Sequence, residues 1–385
     1  MKSVQQELNS FFNKVIGGDY DILELTSSAL TQARAKLKPG AFLELNDSVV
    51  RDFYADAPYD TWKGHRVLAI DGSTANLPSH KSIIEHFGMM QVGRNADVPR
   101  SMARISICYD THNLLTLHAA MESYCTSERA MLNQHLEKVD FQQNDILLAD
   151  RGYASKLLMF RMQDMCLDFC FRMKDNWWKE VYQMQISGET DKEVCFRLSK
   201  LDKKRLGESV DTSKDIRCRL VIIDLENGSR VVLCTSLLCK EQYTKDDLKE
   251  LYHKRWEVEE AYKLLKCRAN LEAFTGKTAI AVQQDFYSKI FMMTFCAAMS
   301  FPIEEKVRKE NKRNKDKHPK QINRTNALGF FHSSWVGLWF RKKLKPLLKA
   351  FDKILTKTTD IVRDNRSFPR KHKVKHPPSM NYKPL

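Results

Sequence analysis

The chain has 385 residues, of which 43% are hydrophobic and 29% charged, and a formal net charge of +15. That apolar share supports a packed core and excludes global disorder, and the length suits one large domain or two to three modules. The charge is uneven: residues 304–385 hold 23 Lys and Arg against 7 Asp and Glu, so the rest is near neutral and the C-terminal fifth is a basic appendage suited to a polyanion, nucleic acid first.

Residues 1–60 read as helices. ALTQARAKL is stopped by Pro39 and Gly40, and NDSVVRDFY begins a second helix at an Asn or Asp cap. This region is either a helical cap on the core or a small DNA-contacting subdomain. RVLAID, from Arg66, is a short apolar run ending in a carboxylate. ARISICYD and LLTLHAAME follow as a hairpin turning at His112 and Asn113, then SERAMLNQHLEKV as a Ser-capped helix. DILLAD is another strand ending in a carboxylate, ASKLLMFRMQDM a helix and LDFCFRMK a strand. Three strands, helix, strand, helix, strand predict a mixed α/β sheet.

From about Asn176 to Leu238 the pattern predicts strands alone, with a hairpin turn at Glu226-Asn227-Gly228, and so an all-β insertion. DDLKELYHKRWEVEEAYKLLKCRANL resumes as one long helix, and a further helix covers roughly residues 279–301. Within it, IFMMTFCAAMSFPI is too short and interrupted for a bilayer span and predicts a core helix. The tail carries charge runs near Lys312–Lys320 and in FPRKHKVKHPPS, with WVGLWFRKKLKPLLKAFDKIL between them as one basic amphipathic helix. Ten cysteines without a C-x-x-C pair read as reduced, buried small hydrophobes of a reducing cytoplasm, and the N-terminus lacks the order of a signal peptide.

Asp71 and Asp150 each end an apolar strand, where α/β folds place ligands. Either alone could be a helix cap or a turn residue; two in one sheet favour a metal-ligand role. On a helix turning about 100° per residue, Tyr252, Arg255, Glu259 and Lys266 fall within about 60° of arc. Spacing alone leaves open a solvated face with helical ion pairs. Joined to Asp71 and Asp150, however, Glu259 supplies a third hard oxygen donor. Such a set suits two Mg²⁺ or Mn²⁺ ions at a phosphodiester. Arg255, Lys266 and Tyr252 could hold phosphate oxygens beside them. In a compact fold the three carboxylates should converge within a few ångströms.

These residues form a Y-x2-R-x3-E-x6-K pattern, which resembles the signature of the DDE transposases of bacterial insertion sequences, in the group whose better-known members form hairpin DNA intermediates. IDGST and ADRGY resemble the family's two Asp blocks, and CTSLL and INRTNALGF further segments, over roughly residues 25–375. The resemblance implies a ribonuclease-H-like core, with a β-strand insertion between Asp150 and Glu259. It divides the chain into a helical DNA-binding subdomain (1–60), a first core part (61–175), the insertion (176–240), a second core part with the signature helix (241–303) and a basic DNA-binding or dimerisation region (304–385). It implies catalysis and metal binding by Asp71, Asp150 and Glu259 and DNA contacts by Tyr252, Arg255 and Lys266. Trp177 or Trp178, the latter preferred, would stack on a flipped base, unless the pair is simply core. Two Mg²⁺ ions would serve strand cleavage and transfer, on element ends and target DNA, by a homodimer in the bacterial cytoplasm at the nucleoid. A structure-specific nuclease on the same fold and a non-catalytic end-binding protein are the rival readings.

Overall fold

The structure is a computed structural model and describes residues 3–18, 23–90, 99–174, 178–206, 211–224, 228–314, 318–340 and 344–362. Helices α1 (Val4–Ile16), α2 (Ser27–Lys36) and α3 (Gly40–Asp56) open the chain. A reciprocal Ser3–Gln6 capping box starts α1, and Gly17 ends it in a left-handed conformation. The helix expected to start at an Asn46 or Asp47 cap starts instead at Gly40. Pro39 precedes it and stands where a helix begins rather than where the last one stops, since a missing N–H costs nothing there.

Next come β1 (Arg66–Asn76), α4 (Lys81–Phe87), β2 (Met89–Met90), β3 (Arg100–Asp110), β4 (Thr116–Ser123), α5 (Glu128–Lys138), β5 (Asp145–Ala149), α6 (Lys156–Asp164) and β6 (Asp168–Arg172). The chain continues through α7 (Lys179–Ser187), β7 (Asp191–Phe196), α8 (Lys200–Leu206), β8 (Ile216–Asp224) and β9 (Arg230–Thr235) to α9 (Lys245–His253) and α10 (Trp256–Lys263). A π-helical turn, Leu264–Arg268, precedes α11 (Ala279–Asn314), β10 (Lys320–Ile322), α12 (Arg324–Phe340), α13 (Leu344–Lys357) and β11 (Thr359–Ile361).

Among the described residues the main sheet runs β2-β3-β1-β5-β6-β9-β8-β7, with β4 on β3. β1 pairs with β5, and β5 with β6, in parallel; β6, β9, β8 and β7 pair antiparallel. This is the mixed α/β sheet read from the sequence, and its order is ribonuclease-H-like. β1 and β5 are buried on both faces: Val67 to Ile70 and Ile146 to Ala149 are all fully enclosed, the run expected of central parallel strands.

The insertion is not all-β. It carries α7 and α8 beside its strands. The run read as the strand EVYQMQI has Val181 and Met184 buried three positions apart, a helical spacing, and Gly188 closes it in a left-handed conformation. The Glu226-Asn227 part of the expected hairpin turn lies outside the described residues, between the paired ends Asp224 and Arg230.

Two compact units divide the chain. One comprises residues 56–73 and 104–261; the other comprises residues 1–55, 74–103 and 262–385. In the second, α11 is one continuous 36-residue helix. Length and composition alone would let it cross a bilayer, so the expectation of a short, interrupted run was wrong. Its partners within the unit are those of a core helix: Arg34 of α2 ion-pairs with Asp285 at 3.0 Å, Phe53 of α3 meets Phe301 edge-on, and Cys296, Ile303 and Val307 join Phe331 of α12 and Leu355 of α13 in one apolar cluster. The basic amphipathic segment is two helices, α12 and α13, rather than one. FPRKHKVKHPPS and Lys315–Lys317 lie outside the described residues. The cysteines divide evenly: Cys108, Cys170, Cys218, Cys234 and Cys296 are buried as expected, whereas Cys125, Cys166, Cys195, Cys239 and Cys267 are exposed, and all are free thiols.

Candidate active site

Asp71, Asp150 and Glu259 all belong to the first unit. The β1–β5 pairing is in register from Arg66↔Asp145 to Ile70↔Ala149. Asp71 and Asp150 are the next residue on each strand. Asp150 directly follows the carboxyl end of β5, whereas Asp71, expected to end its strand, lies within β1, which runs on to Asn76; what ends just before Asp71 is the pairing with β5, on strands about 4.8 Å apart. Burial pushes the Asp71 carboxyl up to about 6; the N–H of Gly72, which donates to its Oδ1 at 2.8 Å, and Arg255 oppose the shift, while Glu259 and Glu128 add to it. Beneath it, Ser106 Oγ donates to the Asp71 carbonyl and is bonded in turn to His135, which shares a hydrogen bond with His118. Burial pushes His118 down to about 4 and lowers His135 well below its ordinary value, so both rings are neutral struts.

The segment carrying Tyr252, Arg255 and Glu259 is not one long helix. It breaks at Lys254–Arg255 between α9 and α10, and ends in the π-helical turn. At the break the N–H groups of Arg255, Glu257 and Val258 each donate three residues back, to Tyr252, Lys254 and Arg255. The chain is thus overwound there and underwound at the π-turn. The arc computed for an unbroken helix does not hold, yet the three residues still meet the aspartates. Tyr252, on α9, donates its hydroxyl to Asp150 Oδ1 at 3.4 Å. Burial and then Asp150 hold its phenol above the ordinary range, so it remains a donor. Arg255 is 6% exposed, lies over the rings of Tyr252 and Trp256, and ion-pairs with Glu259 at 2.9 Å. Its charge also acts on Asp71 and Asp150.

Lys266 sits in the π-turn, within the other unit. Burial lowers its ammonium pKa, opposed by Glu272. Glu272 also accepts from the Asn76 backbone and side chain. Trp178 caps α7, half-buried, edge-on to Phe196 at 4.6 Å with the Lys156 ammonium 5.2 Å from its ring centre. Its ring is already engaged; Trp177 lies outside the described residues.

Among the described residues, no three His, Cys, Asp or Glu side chains are gathered into one metal-holding group, so the expected convergence within a few ångströms is not met as the side chains stand. Glu259 is turned onto Arg255 and Asp150 onto Tyr252. The donor chemistry nevertheless fits hard divalent ions, since Asp71, Asp150 and Glu259 all offer carboxylate oxygens. It fits phosphate too, because the buried Arg255 Nε has no hydrogen-bond partner and few native donors are left so.

Glu128, the first residue of α5, was not among the sequence candidates. Its carboxylate lies beside both Gly72 and Gly152, next to the two aspartates. The glycines following each Asp block were the available signal, but nothing local connects them to position 128.

In this mixed sheet Asp71 and Asp150 thus lie just past the last β1–β5 pair, with a helical carboxylate and a buried guanidinium within electrostatic reach of Asp71. The sequence profile of the transposase DDE domain matches residues 62–295, and the chain belongs to that family. No curated protein matches in sequence. A solved synaptic complex of the piggyBac transposase with hairpin DNA is similar at a TM-score of 0.43 and 11% identity, over 75% of this chain and 57% of that one.

Proposed function

We propose that this protein cuts DNA at the ends of an insertion sequence and joins the freed 3′-OH ends to target DNA. The observation carrying this is the placement of Asp71 and Asp150 just past the last β1–β5 pair, with Arg255 and Glu259 within electrostatic reach of Asp71. Asp71, Asp150 and Glu259 would hold two Mg²⁺ ions, or Mn²⁺ in their place. Bound there, the ions supply Lewis-acid activation of the attacking hydroxyl and neutralise charge at the phosphodiester.

Arg255 would exchange Glu259 for a phosphate oxygen, offering its unbonded Nε to a second, a bidentate grip suited to guanidinium. Tyr252 donates a neutral hydroxyl near Asp150, and Lys266 would contact the strand beside the cut. In the first step water attacks phosphorus and the 3′-oxygen leaves with a proton; in the second that 3′-OH attacks another phosphodiester, on the opposite strand for a hairpin or on target DNA, and the 3′-oxygen of the attacked strand leaves with the proton. Residues 1–60 and 304–385 would bind DNA or a second copy in a synaptic dimer, in the bacterial cytoplasm at the nucleoid. Base stacking by Trp178 would require Lys156 to leave its ring.

A labelled duplex carrying the terminal repeats that flank the gene tests this. Mg²⁺-dependent nicking followed by strand joining is expected. Nicking without joining would indicate a nuclease, and binding without nicking a non-catalytic end-binding protein.

A further inference from the structure

Glu128 enters the site through two glycines. A Cβ on Gly152 would lie 2.7 Å from Glu128 Oε2, and a Cβ on Gly72 would lie 3.3 Å from its Cγ and 3.5 Å from Oε1. Gly72 directly follows Asp71, and Gly152 is two residues after Asp150. Neither glycine has a positive φ. Backbone conformation therefore does not call for glycine at either place; the space beside Gly152 is taken by the end of the Glu128 side chain, and that beside Gly72 by Glu128 together with the Tyr153 hydroxyl, also 3.3 Å away.

The carboxylate is held in that position. Arg104 of β3 ion-pairs with Oε1 at 3.3 Å and is itself fixed by donating to the Tyr124 carbonyl. The next residue, Arg129, donates to the carbonyls of Gly152 and Ala154, at 3.1 and 2.7 Å, and so ties α5 to the loop after Asp150. The Tyr153 hydroxyl is buried beside Gly72, within electrostatic reach of Asp71 and Glu128, and makes no hydrogen bond of normal geometry.

An acidic residue in a first helical turn is ordinary, because the helix dipole favours it. That preference explains neither glycine. Nor does it explain a negative charge set against Asp71, whose own ionisation it opposes. A glutamine would fill the same space without the repulsion.

We propose that Glu128 is a positioning residue of the cation site. It clamps the two chain segments that carry Asp71 and Asp150, and adds negative charge that retains divalent ions between them. This rests on the reading of Asp71 as a cation ligand.

The test is Mn²⁺ titration of the full-length protein, followed by electron paramagnetic resonance, for the parent, Glu128→Gln, Glu128→Asp and Asp71→Asn. Glu128→Gln should weaken Mn²⁺ binding on the order of tenfold, the scale of losses from residues that orient metal ligands, with an unchanged melting temperature. Glu128→Asp, which keeps the charge, should recover part of the loss. Should Glu128→Gln fail to fold, Gly152→Ala decides instead, since its Cβ displaces the carboxylate and should weaken Mn²⁺ binding likewise. Parental affinity in Glu128→Gln, or in Gly152→Ala where that variant decides, together with a loss in Asp71→Asn, would overturn the role of Glu128 alone. Parental affinity in Asp71→Asn would overturn the reading of the site itself.

Discussion

The two ends of the β1–β5 strand pair carry the same kind of residue and treat it in opposite ways. At the amino end, Arg66 grips Asp145 through two hydrogen bonds, at 2.7 and 2.6 Å, and the Gln142 N–H completes the carboxylate at 2.9 Å. Both side chains are almost fully enclosed, and every charge there has its partner. Five residues further along, where the β1–β5 pairing ends, Asp71, Asp150 and Glu259 act on the buried Arg255, Glu128 adds negative charge at Asp71, and Arg255 Nε is buried without a hydrogen-bond partner. The first end is a finished structural lock that fixes register; the second keeps like charges together and a buried guanidinium donor unpaired, the kind of perturbed cluster found at functional sites.

Substitutions should divide along that line. Asp71→Asn or Glu259→Gln should lower strand cleavage by about 1,000-fold or more, since metal-site charge supplies several kcal/mol at about 1.4 kcal/mol per tenfold. Gel-shift binding of the duplex should hold, and thermal melting should not fall. Arg66→Ala should do the reverse. It strands a buried Asp145, costs about 3–5 kcal/mol of stability in denaturant titration, and leaves the chemistry of the folded fraction intact. Replacing Arg66 and Asp145 together by Met and Leu should return most of that loss, because no unpaired charge remains.

The pH dependence sharpens the contrast. The Asp71 carboxyl is pushed up to about 6 in the folded protein and stands near the ordinary 3.8 when unfolded, so the folded state binds the extra proton between those values. Its contribution to stability is present below about pH 4 and lost as pH rises through 6, worth about 1–3 kcal/mol. Asp71→Asn should flatten that slope in denaturation curves taken from pH 4 to 7. The smallest effect is expected of Tyr252→Phe. The hydroxyl–carboxylate contact at 3.4 Å is long, so stability should change by about 0.5 kcal/mol or less, while binding of a cut DNA end weakens.

Much of this site could be read from the chain. RVLAID and DILLAD announce themselves because strands buried on both faces must be apolar, so a carboxylate after such a run stands out, although β1 itself runs on past Asp71 to Asn76. The break at Lys254–Arg255 could not be read: Lys, Arg, Trp and Glu all suit helices, and the tightening coincides with burial of Arg255 against Glu259 rather than with any local breaker. In the insertion, Val181 and Met184 fit a helix as well as a strand, and only burial decides between them. Glu128 was hidden for another reason: its meaning lies in the space left by Gly72 and Gly152, both distant in sequence.

The central claim is that Asp71, Asp150 and Glu259 share divalent ions at the end of the β1–β5 pair. Crystals grown with Mn²⁺ and an element-end duplex, measured at the manganese edge, test it most directly. The expected result is anomalous density between the carboxylates of Asp71 and Asp150, with Glu259 turned from Arg255 toward the metal and Arg255 on a phosphate. Manganese bound elsewhere, or Glu259 still paired with Arg255 beside bound DNA, would contradict it.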